Sequence, residues 1–176
     1  MSALPRVSVE VLDETRRLPE PALAWLVTHI DLAIRRLGAA GDVRVRVVDD
    51  PAMAQAHEEF AGVPGTTDVL TFDLKDPEES PKAVLDKSCV RLVGDSYPYG
   101  LDTDILVCLD EALRHLGGGR YPVEKELLLY VVHGILHCLG MDDHDEAEAA
   151  AMHRMEDTIL EAIGVGAVFK AGEGEG

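Results

Sequence analysis

The stretch Val131-Val132-His133-Gly134-Ile135-Leu136-His137-Cys138-Leu139-Gly140-Met141-Asp142-Asp143-His144 sets two imidazoles four residues apart in an apolar run, followed by a glycine and a burst of acids. On a helix, side chains four apart lie one turn up the same face, so both rings can point at one ion. Apart from the two histidines, Leu127 to Leu139 is apolar, aromatic or glycine. Such a helix is hydrophobic almost all round and belongs at the centre of a fold. Two imidazoles buried there with unmet hydrogen bonds would cost about 1–3 kcal/mol each, a cost that a bound zinc ion removes. The rival explanation has the rings bonded to backbone or carboxylates. It leaves the glycine turn and the further donors within seven residues of His137 unexplained. Gly134 permits close backbone approach, and Gly140 can take the left-handed conformation that turns the chain back toward the metal.

The third ligand has two candidates. In helix–glycine–turn zinc sites it normally falls six residues after the second histidine, which here is Asp143, and His144 lies one further. Either Asp143 binds through its carboxylate, or a one-residue bulge brings in His144. Ligand type tips the choice to His144, and Asp143 is kept because its register matches. Two histidines with a carboxylate leave less net positive charge than three imidazoles and acidify a bound water less. Asp142, or whichever neighbour is unused, is available to orient a ligand or accept a proton. His57, His115 and His153 stand alone and are expected to face solvent. Gly134 occupies the place where an HExxH peptidase carries its general-base glutamate, which argues against peptide hydrolysis.

The 176 residues suit one domain, read as 1–165, with 166–176 as a disordered tail. With 33 acids against 16 Lys and Arg, the formal charge of −17 repels polyphosphate, so RNA binding needs a local basic groove or a basic partner. Cys89, Cys108 and Cys138 are too widely spaced for a disulfide framework or a CxxC site and are read as free thiols. No apolar run reaches the roughly 18 residues of a membrane span, and the N-terminus lacks a signal-peptide pattern. A soluble, cytoplasmic protein without membrane contact is expected.

Outward from the histidine helix, the chain alternates strands and helices. Arg6–Leu12 and Asp42–Asp49 show the period of half-buried strands, the second with arginines on one face and valines on the other. Ala22–Leu37 carries apolar residues at spacings of three and four and is closed by Gly38. A short helix over Pro51–Phe60, a strand over Asp68–Leu74 and a strand over Asp104–Leu109 follow. Between them, from about 75 to 100, lies a proline- and charge-rich excursion with a short strand at Val90–Val93. Glu111–Leu116 reads as a helical turn or two, and the histidine helix starts at Tyr121-Pro122. A last helix begins near Asp145, where Asp145 and Glu148 resemble a capping box, and ends at Gly164.

The run His133 to His144 resembles the signature H-G-x-L-H-L-x-G-Y-D-H of the YbeY family, bacterial metal-dependent endoribonucleases linked to rRNA maturation. Thr67-Asp68-Val69-Leu70-Thr71-Phe72 is similar to that family's T-[DN]-V-L-S-F strand, and Asp104-Ile105-Leu106-Val107 to its G-D-I-x-I strand. The resemblance implies an α+β fold: a small mixed sheet of about four strands packed with about five helices, one of them a zincin-like metal-binding helix. It implies one zinc ion per chain held by three side chains, and cleavage of single-stranded RNA. It further implies a role at the small-subunit rRNA 3′ end and in ribosome quality control, with a ribosomal protein or GTPase as partner. His133 and His137 carry over as ligands, and the third family histidine falls on Asp143 by register or on His144 with one inserted residue. His133 and Asp142 are the catalytic candidates. The family's tyrosine and arginine before the threonine are replaced by Phe60 and Ala61, and an asparagine by His57. The cationic contact to phosphate therefore has to come from elsewhere, from Arg44 or Arg46 on the second strand or from a partner. Two other functions fit the same motif: a zinc hydrolase of another substrate class, or a non-catalytic ribosome-associated factor in which zinc only staples helix to loop.

Overall fold

Val43, Val45 and Val47 alternate with Arg44 and Arg46, and this period of two becomes the second strand of a four-stranded sheet. The computed structural model describes residues 5–78, 84–86, 91–93, 99–119 and 121–168. In chain order they form β1 (Val7–Asp13), α1 (Glu20–Leu37), β2 (Ala39–Val48), α2 (Asp50–Ala61), β3 (Val69–Asp73), β4 (Val84–Asp86), β5 (Arg91–Val93), β6 (Tyr99–Cys108), α3 (Leu109–Leu116), α4 (Val123–Cys138) and α5 (Glu146–Ala162). The main sheet runs β1-β2-β6-β3, with β1, β2 and β6 parallel and β3 antiparallel to β6. It is a mixed sheet with five helices, the α+β architecture expected. β4 and β5 pair as a separate antiparallel hairpin within the excursion, with Val84 opposite Val93.

Alternation along the strands divides the residues between two faces. Val43, Val45, Val47, Ile105 and Val107 point into the main core, where Leu26, Ile30 and Ile34 of α1 and Leu127, Val131 and Ile135 of α4 meet them. α2 covers the other face with a smaller cluster of Val48, Met53, Ala56, Leu106 and Cys108. Gly134 lets α4 lie close to the sheet: a Cβ there would stand 2.5 Å from Thr71 Oγ1 and 3.4 Å from Ile105 Cδ1. The all-round apolar character of α4 follows from this position, since the sheet, α1, α3 and α5 all pack against it.

Two strands begin earlier than their sequence pattern suggests. β2 starts at Ala39, directly after Gly38 turns the chain at φ 75°, and β6 starts at Tyr99, where Pro98 and Gly100 read as loop. The early halves pair with each other, Ala39 with Tyr99 and Gly41 with Leu101, so each extension is stabilised by the other and by no local signal. At the other end, residues 166–168 of the expected tail are anchored. The Val168 N–H donates to Asp157 Oδ1 at 2.8 Å, and the side chain packs on the core. Residues 169–176 and Cys89 lie outside the described residues, and Cys108 and Cys138 are free thiols. No helix among the described residues is long and apolar enough to cross a membrane.

Candidate metal centre

α4 ends in a Schellman turn that builds the site. Gly140, at φ 92°, donates its N–H to the His137 carbonyl at 3.0 Å, and the Met141 N–H reaches back to the Leu136 carbonyl at 3.0 Å. The turn is closed without an inserted residue, so the register position Asp143 swings back over the helix. Its carboxylate oxygens stand 3.6 Å from His133 Nε2 and 3.6 Å from His137 Nε2. His133, His137 and Asp143 thus converge as one group of three potential ligands. His144 points away: its side chain is 85% exposed, with Nε2 3.1 Å from Asp142 Oδ2. Asp142 also accepts the Asp143 N–H at 2.8 Å, which braces the turn. Asp142, Asp143 and His144 form a second, exposed group around the same carboxylate.

The hydrogen bonds on the outer ring nitrogens decide what the inner ones present. His133 Nδ1 donates to Glu156 Oε1 at 2.6 Å, and His137 Nδ1 donates to the Met141 carbonyl at 3.1 Å. A carboxylate and a carbonyl can only accept, so each ring carries a proton on Nδ1, and in its neutral form turns a lone pair inward at Nε2. Those two nitrogens are 3.0 Å apart. Two lone pairs and a carboxylate facing one another repel unless a cation lies among them. Ligand atoms about 2.0–2.1 Å from a tetrahedral zinc ion stand roughly 3.3 Å from each other, within the 3.0–3.6 Å spread of this trio. The donor set therefore fits a divalent metal in both spacing and electronic character.

A proton on His133 Nε2 would compete with a cation for this place. Burial pulls the His133 pKa down, but the Glu156 hydrogen bond and the charges of Glu156, Asp143 and Asp68 outweigh it, and the group sits above its ordinary value. Because only the neutral ring binds metal, proton and ion compete for the same lone pair. Metal affinity should fall as pH drops through this raised pKa, beginning at higher pH than for an ordinary imidazole at about 6.5. Zinc competition titrations between pH ~8 and ~5 should show this early onset. A flat affinity down to pH ~6 would contradict it.

A cavity of about 490 Å³ opens beside the trio, with Thr66, Asp68, Glu111, Glu126, Tyr130 and His153 among its walls. Glu126, Tyr130 and His133 lie on one stripe of α4, so the cavity runs from His133 and Asp143 along the helix. It has carboxylates at Asp68, Glu111, Glu126, Asp143 and Glu156, and neither lysine nor arginine among its described walls. Arg44 and Arg46, the expected phosphate contacts, are on the α2 side of the sheet, away from α4. Arg44 is held by Asp102 at 2.6 Å and Asp104 at 2.5 Å, and Arg46 by Glu14 at 2.6 Å. Among the histidines expected to face solvent, His57 bonds the Gly65 carbonyl at 2.9 Å, His115 Nε2 is 3.7 Å from Glu126, and His153 is exposed but lines this cavity. Glu156 had no place among the sequence candidates. Its signal is an acid inside the apolar stripe of α5 formed by Met152, Met155, Ile159 and Leu160.

The family model described as Endoribonuclease YbeY matches residues 9–164. An Endoribonuclease YbeY from Micrococcus luteus is 30% identical over 159 residues, covering 89% of this chain and 92% of the relative. Its counterpart from Renibacterium salmoninarum is 33% identical over 155 residues, covering 88% and 91%, and that from Moorella thermoacetica is 31% identical over 148 residues, covering 83% and 89%. Residues 9–164 take in both histidines, the turn, Asp143 and the whole of the four-stranded sheet except the first residues of β1. The chain belongs to the YbeY family of endoribonucleases.

Proposed function

We propose that the chain is a zinc-dependent endoribonuclease that cuts single-stranded RNA in the cytoplasm. In this reading it matures the small-subunit rRNA 3′ end and serves ribosome quality control, with a ribosomal protein or GTPase as partner. The observation that carries the metal dependence is the convergence of His133 Nε2, His137 Nε2 and the Asp143 carboxylate within 3.0–3.6 Å, with both Nδ1 atoms bonded to outer acceptors. His133, His137 and Asp143 would hold the ion. Bound there, zinc supplies Lewis-acid chemistry, acidifying water and polarising a phosphoryl oxygen. The Met141 carbonyl holds the His137 ring, and Asp142, which also braces the turn by accepting the Asp143 N–H, is the carboxylate assigned to proton transfer in this reading.

Ala61 stands where the family has an arginine, and the cavity walls are acidic. The attraction for a phosphodiester therefore falls to the metal. Zinc-loaded and metal-free protein should accordingly differ in RNA binding as well as in cleavage. The test is cleavage of a single-stranded oligoribonucleotide against the same sequence as a duplex, with His137→Ala alongside. Zinc-loaded protein should cut the single strand, and metal removal or His137→Ala should slow it by about 10²–10³-fold. Equal cleavage without metal, or equal cleavage of the duplex, would refute the proposal. Zinc that raises the melting temperature without any cleavage would support the non-catalytic staple instead.

A further inference from the structure

We infer that Glu156 is a positioning residue for the metal centre, fixing the tautomer and ring plane of His133 and thereby setting how tightly the ion is held. The inference rests on the metal-binding reading above and extends it beyond the three ligands. Glu156 is 1% exposed and sits on α5 among Met152, Met155, Ile159 and Leu160, all buried. A carboxylate in such surroundings is costly unless strongly hydrogen-bonded. Here it is bonded, at 2.6 Å, to the one ring nitrogen of His133 that does not face the metal position. Metal-binding histidines commonly owe both tautomer and ring orientation to an outer acceptor of this kind.

The two rings are secured differently. The acceptor for His137 is a backbone carbonyl produced by the Schellman turn, which no side-chain substitution removes. His133 depends on a side chain delivered by another helix, 23 residues further along. If that carboxylate were absent, His133 Nδ1 would be free to carry the lone pair and Nε2 the proton, and a proton on Nε2 would point at the metal position. The plain structural role for Glu156 would be a staple between α4 and α5. The two roles predict different things.

Glu156→Gln separates them, because glutamine keeps the volume and can bridge to either tautomer, accepting from Nδ1–H or donating to a bare Nδ1. In the folded Gln variant the zinc Kd, measured by chelator competition, should rise about 10–100-fold, with the melting temperature of the metal-free protein little changed. Long-range ¹H–¹⁵N imidazole spectra of the metal-free protein, at a pH where His133 is neutral, should show the proton on Nδ1 in the natural chain and a mixture in the variant. Should the Gln variant fail to fold, Glu156→Asp keeps the carboxylate but shortens it by one methylene. It should then retain the Nδ1 proton while weakening zinc. A folded Gln variant with unchanged zinc Kd and an unshifted tautomer would overturn the inference, as would an Asp variant with unchanged zinc Kd. If the natural chain binds no zinc yet Glu156→Gln still shifts the tautomer, the metal-binding reading fails while the positioning of the ring stands.

Discussion

Asp143→Ala should lose stoichiometric zinc, and His144→Ala should keep it. Asp143 faces both inner imidazole nitrogens at 3.6 Å, whereas His144 is turned to solvent beside Asp142. The helix end that sets this outcome is a regular Schellman turn, so the extra residue that would bring His144 into register is not accommodated. A zinc-binding free energy of about 10–16 kcal/mol, shared among three side chains, assigns each about 3–5 kcal/mol. Removing Asp143 should therefore raise the zinc Kd roughly 10²–10⁴-fold. Metal analysis of both purified variants, followed by chelator competition, reads the difference directly. The reverse pattern, zinc kept in Asp143→Ala and lost in His144→Ala, would make the histidine the third ligand.

Gly41→Ala should cost about 3–5 kcal/mol of stability, a large part of the 5–15 kcal/mol typical of a domain. Gly41 lies in β2 at φ 127°, a region that L side chains rarely adopt, between β1 and β6. An added Cβ would stand 2.0 Å from the Leu101 carbonyl oxygen and 2.8 Å from the Leu101 nitrogen. These are backbone atoms of the neighbouring strand, which have no rotamer to move to, so the strands must separate. Gly134 is a milder case, since the atom it would meet first belongs to the Thr71 side chain. Urea unfolding of the two proteins measures the effect. An unchanged midpoint for Gly41→Ala would show that β2 and β6 are not in this register.

What the sequence disclosed follows from how local each signal is. α1 and the second half of β2 announce themselves through apolar periodicity because one face of each is buried and the other is not. The caps are equally local: Asp145 accepts the Glu148 N–H at 2.8 Å, and Gly38 and Gly140 take left-handed turns where helices stop. The first halves of β2 and β6 were hidden because Ala39, Ala40 and Gly41 carry no alternation and become strand only by pairing across about sixty residues. In the site, the two histidines were legible from their four-residue spacing, but the choice between Asp143 and His144 depended on the shape of one turn. Arg44 and Arg46 looked available because alternation does not say which face of a sheet carries the chemistry. Glu156 is the reverse case: its position in a stripe of methionines and aliphatics was visible, but the imidazole that explains it lies on another helix.

Because α5 follows α4 in the chain, synthesis makes the histidine helix before the carboxylate that steadies its first ring. A nascent or truncated polypeptide ending before α5 would hold both imidazoles and the acidic turn, yet one ring would be unsecured and the apolar flank of α4 exposed. If Glu156 fixes the metal-facing ring as inferred above, the grip on an ion would be complete only once α5 has docked.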